Sequence, residues 1–136
     1  MLYIKRTLEE KFTAVSREYS CVLLIGPRQV GKSTMLEHLM EGSRRIKVTL
    51  DDLEERKLAQ TDPALFLEMH PAPVLIDEIQ YAPQLFSYIK INVDNGAPPG
   101  SYWLTGSQAY RLMELAQESL AGRTAILHMS SLSQSE

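Results

Sequence analysis

Eight residues, Gly26-Pro27-Arg28-Gln29-Val30-Gly31-Lys32-Ser33, constrain this chain more than any others. They fit the pattern G-x-x-x-x-G-K-[ST], a loop whose successive backbone N–H groups curl around phosphate oxygens. The pattern takes its meaning from its flanks, which must be a strand before and a helix after. Cys21-Val22-Leu23-Leu24-Ile25 is an unbroken apolar run, as expected of a parallel strand buried on both faces. Met35, Leu36, Leu39 and Met40 follow at helical spacing, and Gly42 stands where that helix should stop. Gly26 and Gly31 open backbone angles and close approaches that other residues forbid. Lys32 is placed to reach β- and γ-phosphates, and the Ser33 hydroxyl to ligate Mg²⁺. With Thr34 at the start of the helix, residues 26–34 are the candidate triphosphate contacts, backed by the partial positive charge of the helix N-terminus.

The rest of the chain reads as strands alternating with helices. Thr7-Leu8-Glu9-Glu10 has capping-box form, and Leu8, Phe12, Val15 and Tyr19 recur at helical spacing, which predicts a helix from about Leu8 to Glu18. In Arg45-Ile46-Lys47-Val48-Thr49-Leu50 the apolar residues alternate, so a strand is expected there, and its polar face puts it at a sheet edge. Asp51 or Asp52 is expected to cap the next helix, with metal holding as the alternative use of these acids. Asp62-Pro63 starts a further helix as N-cap and first residue, with Ala64, Leu65, Leu67 and Met69 expected inside. Ala82-Pro83 opens another, whose apolar stripe is Leu85, Phe86, Ile89 and Val93.

Val74-Leu75-Ile76-Asp77-Glu78 is the second chemical landmark. An apolar strand that ends in two acids, downstream of a phosphate loop, supplies its partner groups. Asp77 would hold Mg²⁺ or its water shell beside Ser33, and Glu78 would orient or deprotonate the attacking water. Ser101-Tyr102-Trp103-Leu104-Thr105-Gly106-Ser107 reads as a strand with a polar carboxyl end, where open α/β sheets bind ligands. Thr105, Ser107 and Gln108 are therefore candidate γ-phosphate sensors, and Ser107 is equally well placed as a helix cap. A helix through Leu112, Met113, Ala116 and Leu120 ends at Gly122. Arg123 precedes the last strand, Thr124 to Met129, where an arginine can stabilise phosphate charge in cis or across a subunit boundary.

The 136 residues suit one domain, with 44% hydrophobic and 23% charged residues. A net charge of -3 and no basic run give no global electrostatic reason to expect nucleic-acid binding, which leaves a local basic patch as the alternative. The single cysteine, Cys21, excludes an internal disulfide framework and reads as a core residue. His38, His70 and His128 share no metal-ligand spacing. No apolar run is long enough to span a membrane, and the first residues lack a signal-peptide pattern, so a cytoplasmic protein is expected. No Asn-Lys-x-Asp base-reading motif is present, which argues against a GTPase. Glu78 beside Asp77 argues for hydrolysis over small-molecule phosphorylation, where an acceptor hydroxyl takes the place of water.

The phosphate loop, Val74-Leu75-Ile76-Asp77-Glu78-Ile79-Gln80, Leu104-Thr105-Gly106-Ser107 and Ser119-Leu120-Ala121-Gly122-Arg123 together resemble a prokaryotic family of AAA-superfamily ATPases. Its members are described as ATP-binding proteins and carry a C-terminal domain of unknown function. The resemblance runs from about Tyr19 to Glu136. It implies a three-layer α/β P-loop fold with five mostly parallel strands and the sensor strand between the two nucleotide strands. It further implies ATP and Mg²⁺ as cofactors, Ser107 or Thr105 at the sensor position, and Arg123 as a finger acting in trans within a homo-oligomer or on a partner protein. On this basis residues 1–18 form a preceding helix, 19–130 the ATPase core, and 131–136 a polar tail where a lid or C-terminal domain would begin. With the lid absent, hydrolysis is expected to need another region or chain. The alternative is a nucleotide-dependent switch with little turnover of its own.

Overall fold

The computed structural model describes residues 2–28, 30–107 and 109–129. Gln29, Gln108 and the tail 131–136 lie outside the described residues. In chain order the elements are α1 (Leu2–Ser16), β1 (Cys21–Ile25), α2 (Lys32–Leu39), β2 (Ile46–Thr49), α3 (Leu53–Thr61), α4 (Pro63–Met69), β3 (Val74–Asp77), a 3-10 turn (Ile79–Tyr81), α5 (Leu85–Asp94), β4 (Tyr102–Gly106), α6 (Ala109–Leu120) and β5 (Thr124–His128).

The five strands form one parallel sheet in the order β2-β3-β4-β1-β5. β2 is indeed an edge strand. β4 stands between β1, which feeds the phosphate loop, and β3, which ends in Asp77, as the family resemblance implies. Because side chains alternate across a strand, each strand feeds two cores. On one face Val22, Leu24, Leu75, Trp103 and Leu127 pack with Phe12 of α1 and with Met35 and Leu36 of α2. On the other, Leu23, Ile25, Val74, Ile76 and Leu104 pack with Ala59 of α3, Phe66 of α4, Phe86 of α5 and Leu112 of α6. The result is a three-layer α/β fold.

Cys21 is fully buried, and burial pushes its thiol up to about 12 against a smaller opposing effect of Thr124. It is a core residue.

Several local readings hold. Asp52 caps α3 by accepting from the Glu54 and Glu55 N–H groups at 2.9 and 3.3 Å. Asp62 caps α4 through the Leu65 N–H at 3.2 Å, with Pro63 in the first turn. Gly42 and Gly122 adopt positive φ just past α2 and α6. Others need correction. α1 starts at Leu2, so Thr7 lies within the helix and the capping box does not begin it. α4 buries Phe66 and Leu67, whereas Ala64 is exposed, as are Leu65 and Met69, four residues apart on one outward stripe. α5 starts at Leu85, with Gln84 as its N-cap, two residues after Pro83.

Candidate functional site

The loop after β1 is built by close backbone approach. A Cβ on Gly26 would sit 2.4 Å from the Met129 carbonyl oxygen, so no larger residue fits without movement. Gly31 holds φ 96, a left-handed angle that glycine takes without steric cost, and its carbonyl starts α2 by accepting from Met35 N–H at 2.9 Å. Lys32 is buried, and its ammonium donates to the Gly26 and Pro27 carbonyls, both at 2.9 Å. The lysine is thus folded back across its own loop. Burial lowers its pKa from the ordinary value, and Glu78 and Asp77 partly offset that by favouring the charged form.

Three strands bring a polar row to the carboxyl edge of the sheet. β2 and β3 pair Thr49 with Asp77, and Thr105 on β4 lies one step past the Ile76–Leu104 pair. The Thr105 hydroxyl donates to Asp77 Oδ1 at 2.6 Å, and the Thr49 hydroxyl donates to Asp77 Oδ2 at 3.0 Å. Each carboxylate oxygen keeps a further lone pair for metal-bound water. The Thr105 oxygen also accepts the Glu78 N–H at 3.0 Å, so one fully buried hydroxyl ties both acids together. Glu78 has φ 61 and ψ 53, the only non-glycine residue with positive φ among those described. Its Oε1 accepts from Gln80 Nε2 at 2.8 Å and from the Ser107 hydroxyl at 3.3 Å. Asp77 and Glu78 are both buried beside Lys32.

Ser33 accepts from Lys47 Nζ at 2.8 Å and donates to Glu37 Oε2 at 3.4 Å, while Lys47 also bonds Glu37. That bond, followed by the nearby Lys47 charge and Ser33, holds Glu37 below the usual carboxylate range. Arg28 donates to the Tyr81 hydroxyl and lies 3.8 Å from the Asp51 carboxylate. Asp51, Asp77 and Glu78 offer carboxylate oxygens within 4.8 Å of one another. The two adjacent acids therefore divide the expected roles, with Asp52 capping α3 and Asp51 facing the site. Ser33 and Asp77 line one cavity, and their hard oxygen donors suit Mg²⁺ chemistry.

The structure brings together Gly26, Gly31, Lys32, Ser33, Thr34, Asp77 and Glu78, with Ser107 against Glu78. It does not bring Arg123 to them. Arg123 precedes β5, and Thr124 pairs with Cys21 at the start of β1, so Arg123 lies at the amino edge of the sheet while the phosphate loop leaves the carboxyl edge. There it bonds Asp94 and the Ala121 carbonyl. A role at its own chain's phosphate loop is ruled out by this strand direction. Thr105 faces the two acids and is fully buried, which sets it behind them. Thr49, Lys47 and Gln80 were missed. The even spacing of Lys47 and Thr49 marked one face of β2, but only strand order shows that this face meets Asp77.

Residues 18–136 match a family described as AAA domain. The chain belongs to the AAA domain family. Two relatives are the uncharacterized protein Mb2031c of Mycobacterium bovis and the uncharacterized protein Rv2008c of Mycobacterium tuberculosis, each 33% identical over 135 residues. The alignment covers 97% of this AAA domain chain but 30% of each relative, so the chain spans under a third of their length. Among solved structures, the P-loop NTPase domain of the Sigma-54 transport activator from E. coli superposes with a TM-score of 0.54. That match covers 91% of this chain and 94% of the other at 13% identity, a likeness of fold. The P-loop NTPase fold and AAA family membership make this a nucleotide-binding domain. No helix among the described residues is long and apolar enough to cross a membrane.

Proposed function

We propose that this chain binds Mg²⁺-ATP at residues 26–34 and hydrolyses it to ADP and phosphate, driving a conformational change in a partner or in a further region of a longer chain. The observation that carries this reading is the meeting of Lys32, Asp77 and Glu78 at one cavity of about 140 Å³, lined also by Gly31, Ser33 and Thr34. A buried ammonium that donates to the Gly26 and Pro27 carbonyls is ready to exchange them for phosphate oxygens, a charge-assisted bond stronger than the one it replaces. Ser33 and Asp77 would hold Mg²⁺, which when bound would supply positive charge against the phosphates. Glu78 acts on the water. As the water oxygen bonds the γ-phosphorus and the bond to the ADP oxygen breaks, the proton passes to the Glu78 carboxylate.

A second reading draws on Arg123. From the far edge of the sheet this arginine can reach phosphate only in another copy or through a partner. On that reading a lone chain is a nucleotide-dependent switch with little turnover.

The test is thermal stability with Mg²⁺ alone, Mg²⁺-ATP and Mg²⁺-GTP, followed by phosphate release. ATP at about a hundred times its Kd adds roughly 2.7 kcal/mol, several degrees for a chain of this size. We expect Lys32→Ala to abolish the shift, and Glu78→Gln to keep the shift but lose phosphate release. Phosphate release by Glu78→Gln at the parent rate would overturn the role of Glu78. Binding without release by the parent would select the switch.

A further inference from the structure

We infer that Gln80 is the positioning residue for Glu78, the group that sets which carboxylate oxygen meets the water. This rests on the proposed role of Glu78 and adds a residue to that site. Gln80 Nε2 donates both of its protons, to Glu78 Oε1 at 2.8 Å and to the Ser107 hydroxyl at 3.0 Å. Its own Oε1 accepts the Ser107 N–H at 3.4 Å. The Ser107 hydroxyl closes the ring by donating to Glu78 Oε1 at 3.3 Å.

An amide has a fixed polarity. Its NH₂ can only donate and its carbonyl can only accept, so the Ser107 backbone determines which end of Gln80 faces Glu78. The end presented is the donor, and it holds the carboxylate as an acceptor. Glu78 Oε2 takes no hydrogen bond among the described residues and is the oxygen left to receive a proton from water. Gly106 leaves Gln80 and Leu112 close against its backbone. A Cβ there would stand 3.2 Å from Gln80 Oε1 and 1.9 Å from Leu112 Cδ1. Thr105 holds the Glu78 main chain from the other side, through the Glu78 N–H. Two separate anchors, one on the backbone and one on a single carboxylate oxygen, fix a side chain that otherwise turns about three bonds. That is the placement that general-base catalysis requires, since a misplacement of about 1 Å costs on the order of a hundredfold in rate.

The experiment compares the parent chain with Gln80→Met, which keeps length and removes the amide donor and its carbonyl acceptor. ATP affinity, kcat and the denaturant midpoint are measured, with Glu78→Ala and the double variant completing an unfolding cycle. We expect kcat to fall roughly tenfold to a hundredfold with ATP Kd unchanged within about twofold. We expect the midpoint shift caused by Gln80→Met to shrink in the Glu78→Ala background, because the bond it removes is already gone. An unchanged kcat, or a loss of affinity as large as the loss of rate, overturns the proposal. If the parent binds ATP without turning it over, the hydrolysis reading fails by itself, and the unfolding cycle decides on Gln80. Equal midpoint shifts in both backgrounds then overturn it, and a diminished shift upholds the Gln80–Glu78 link.

Discussion

Glu78 holds φ 61 and ψ 53 at the point where β3 turns into the 3-10 helix. An L-residue pays about 1–2 kcal/mol for that angle, and such strain persists only when the surroundings over-determine it. Here the surroundings are the Thr105 hydroxyl on the main chain and Gln80 and Ser107 on the side chain. At an ordinary position Ala is more stable than Gly. At position 78 the order should reverse, with Glu78→Gly more stable than Glu78→Ala by about 1 kcal/mol, both lacking phosphate release. Denaturant unfolding of the two variants checks this. The reverse order would mean that the backbone relaxes once the side chain is removed. The strained angle was not legible in the residues, because an acid pair after a strand reads equally as a turn or a cap.

At the scale of elements, the phosphate loop depends on three strands. Gly26 N–H donates to the Gly106 carbonyl of β4 at 3.1 Å, and the Met129 N–H after β5 donates to the Ile25 carbonyl at 2.8 Å. The same Met129 carbonyl leaves no room for a Cβ on Gly26. Gly26→Ala should therefore push the loop off the end of β5. The expected cost is about 1–3 kcal/mol of stability, together with loss of the ATP-dependent thermal shift. A full shift in the variant would show that the loop does not depend on this contact. The strand–loop–helix unit itself was readable, since an apolar run, two glycines and a helical stripe are local signals. The misreading of α4 was also local in origin. Its seven residues hold two short apolar stripes, and only the neighbouring α3 and α5 decide that Phe66 and Leu67 face inward.

At the scale of the molecule, α1 and α2 cover one face of the sheet and α3 to α6 the other. Phe12 ties α1 to the sheet by an edge-on contact with Trp103, ring centres 4.9 Å apart, and the Trp103 indole N–H donates to the Ser16 hydroxyl at 2.9 Å. Arg45 stacks on the same indole, its guanidinium carbon 3.7 Å from the ring centre. Phe12 is fully buried, so Phe12→Ala should cost about 3–5 kcal/mol. Loss of cooperative unfolding at lower denaturant checks this. A cost under about 1 kcal/mol would mean that α1 is loosely held.

The sequence by itself determined the phosphate loop, the acid pair, five strand positions and the α/β class, because each rests on residues close together in the chain. The place of β4 between β1 and β3 was reached only through resemblance, since a crossover leaves no local mark. What tertiary structure alone decided follows from that order. It places Thr49, Asp77 and Thr105 in one row, turns Asp51 rather than Asp52 towards the site, and brings Gln80 and Ser107 together at Glu78. It also sends Arg123 to the far edge of the sheet, because in a parallel sheet the start of every strand is as distant from the phosphate loop as the sheet allows.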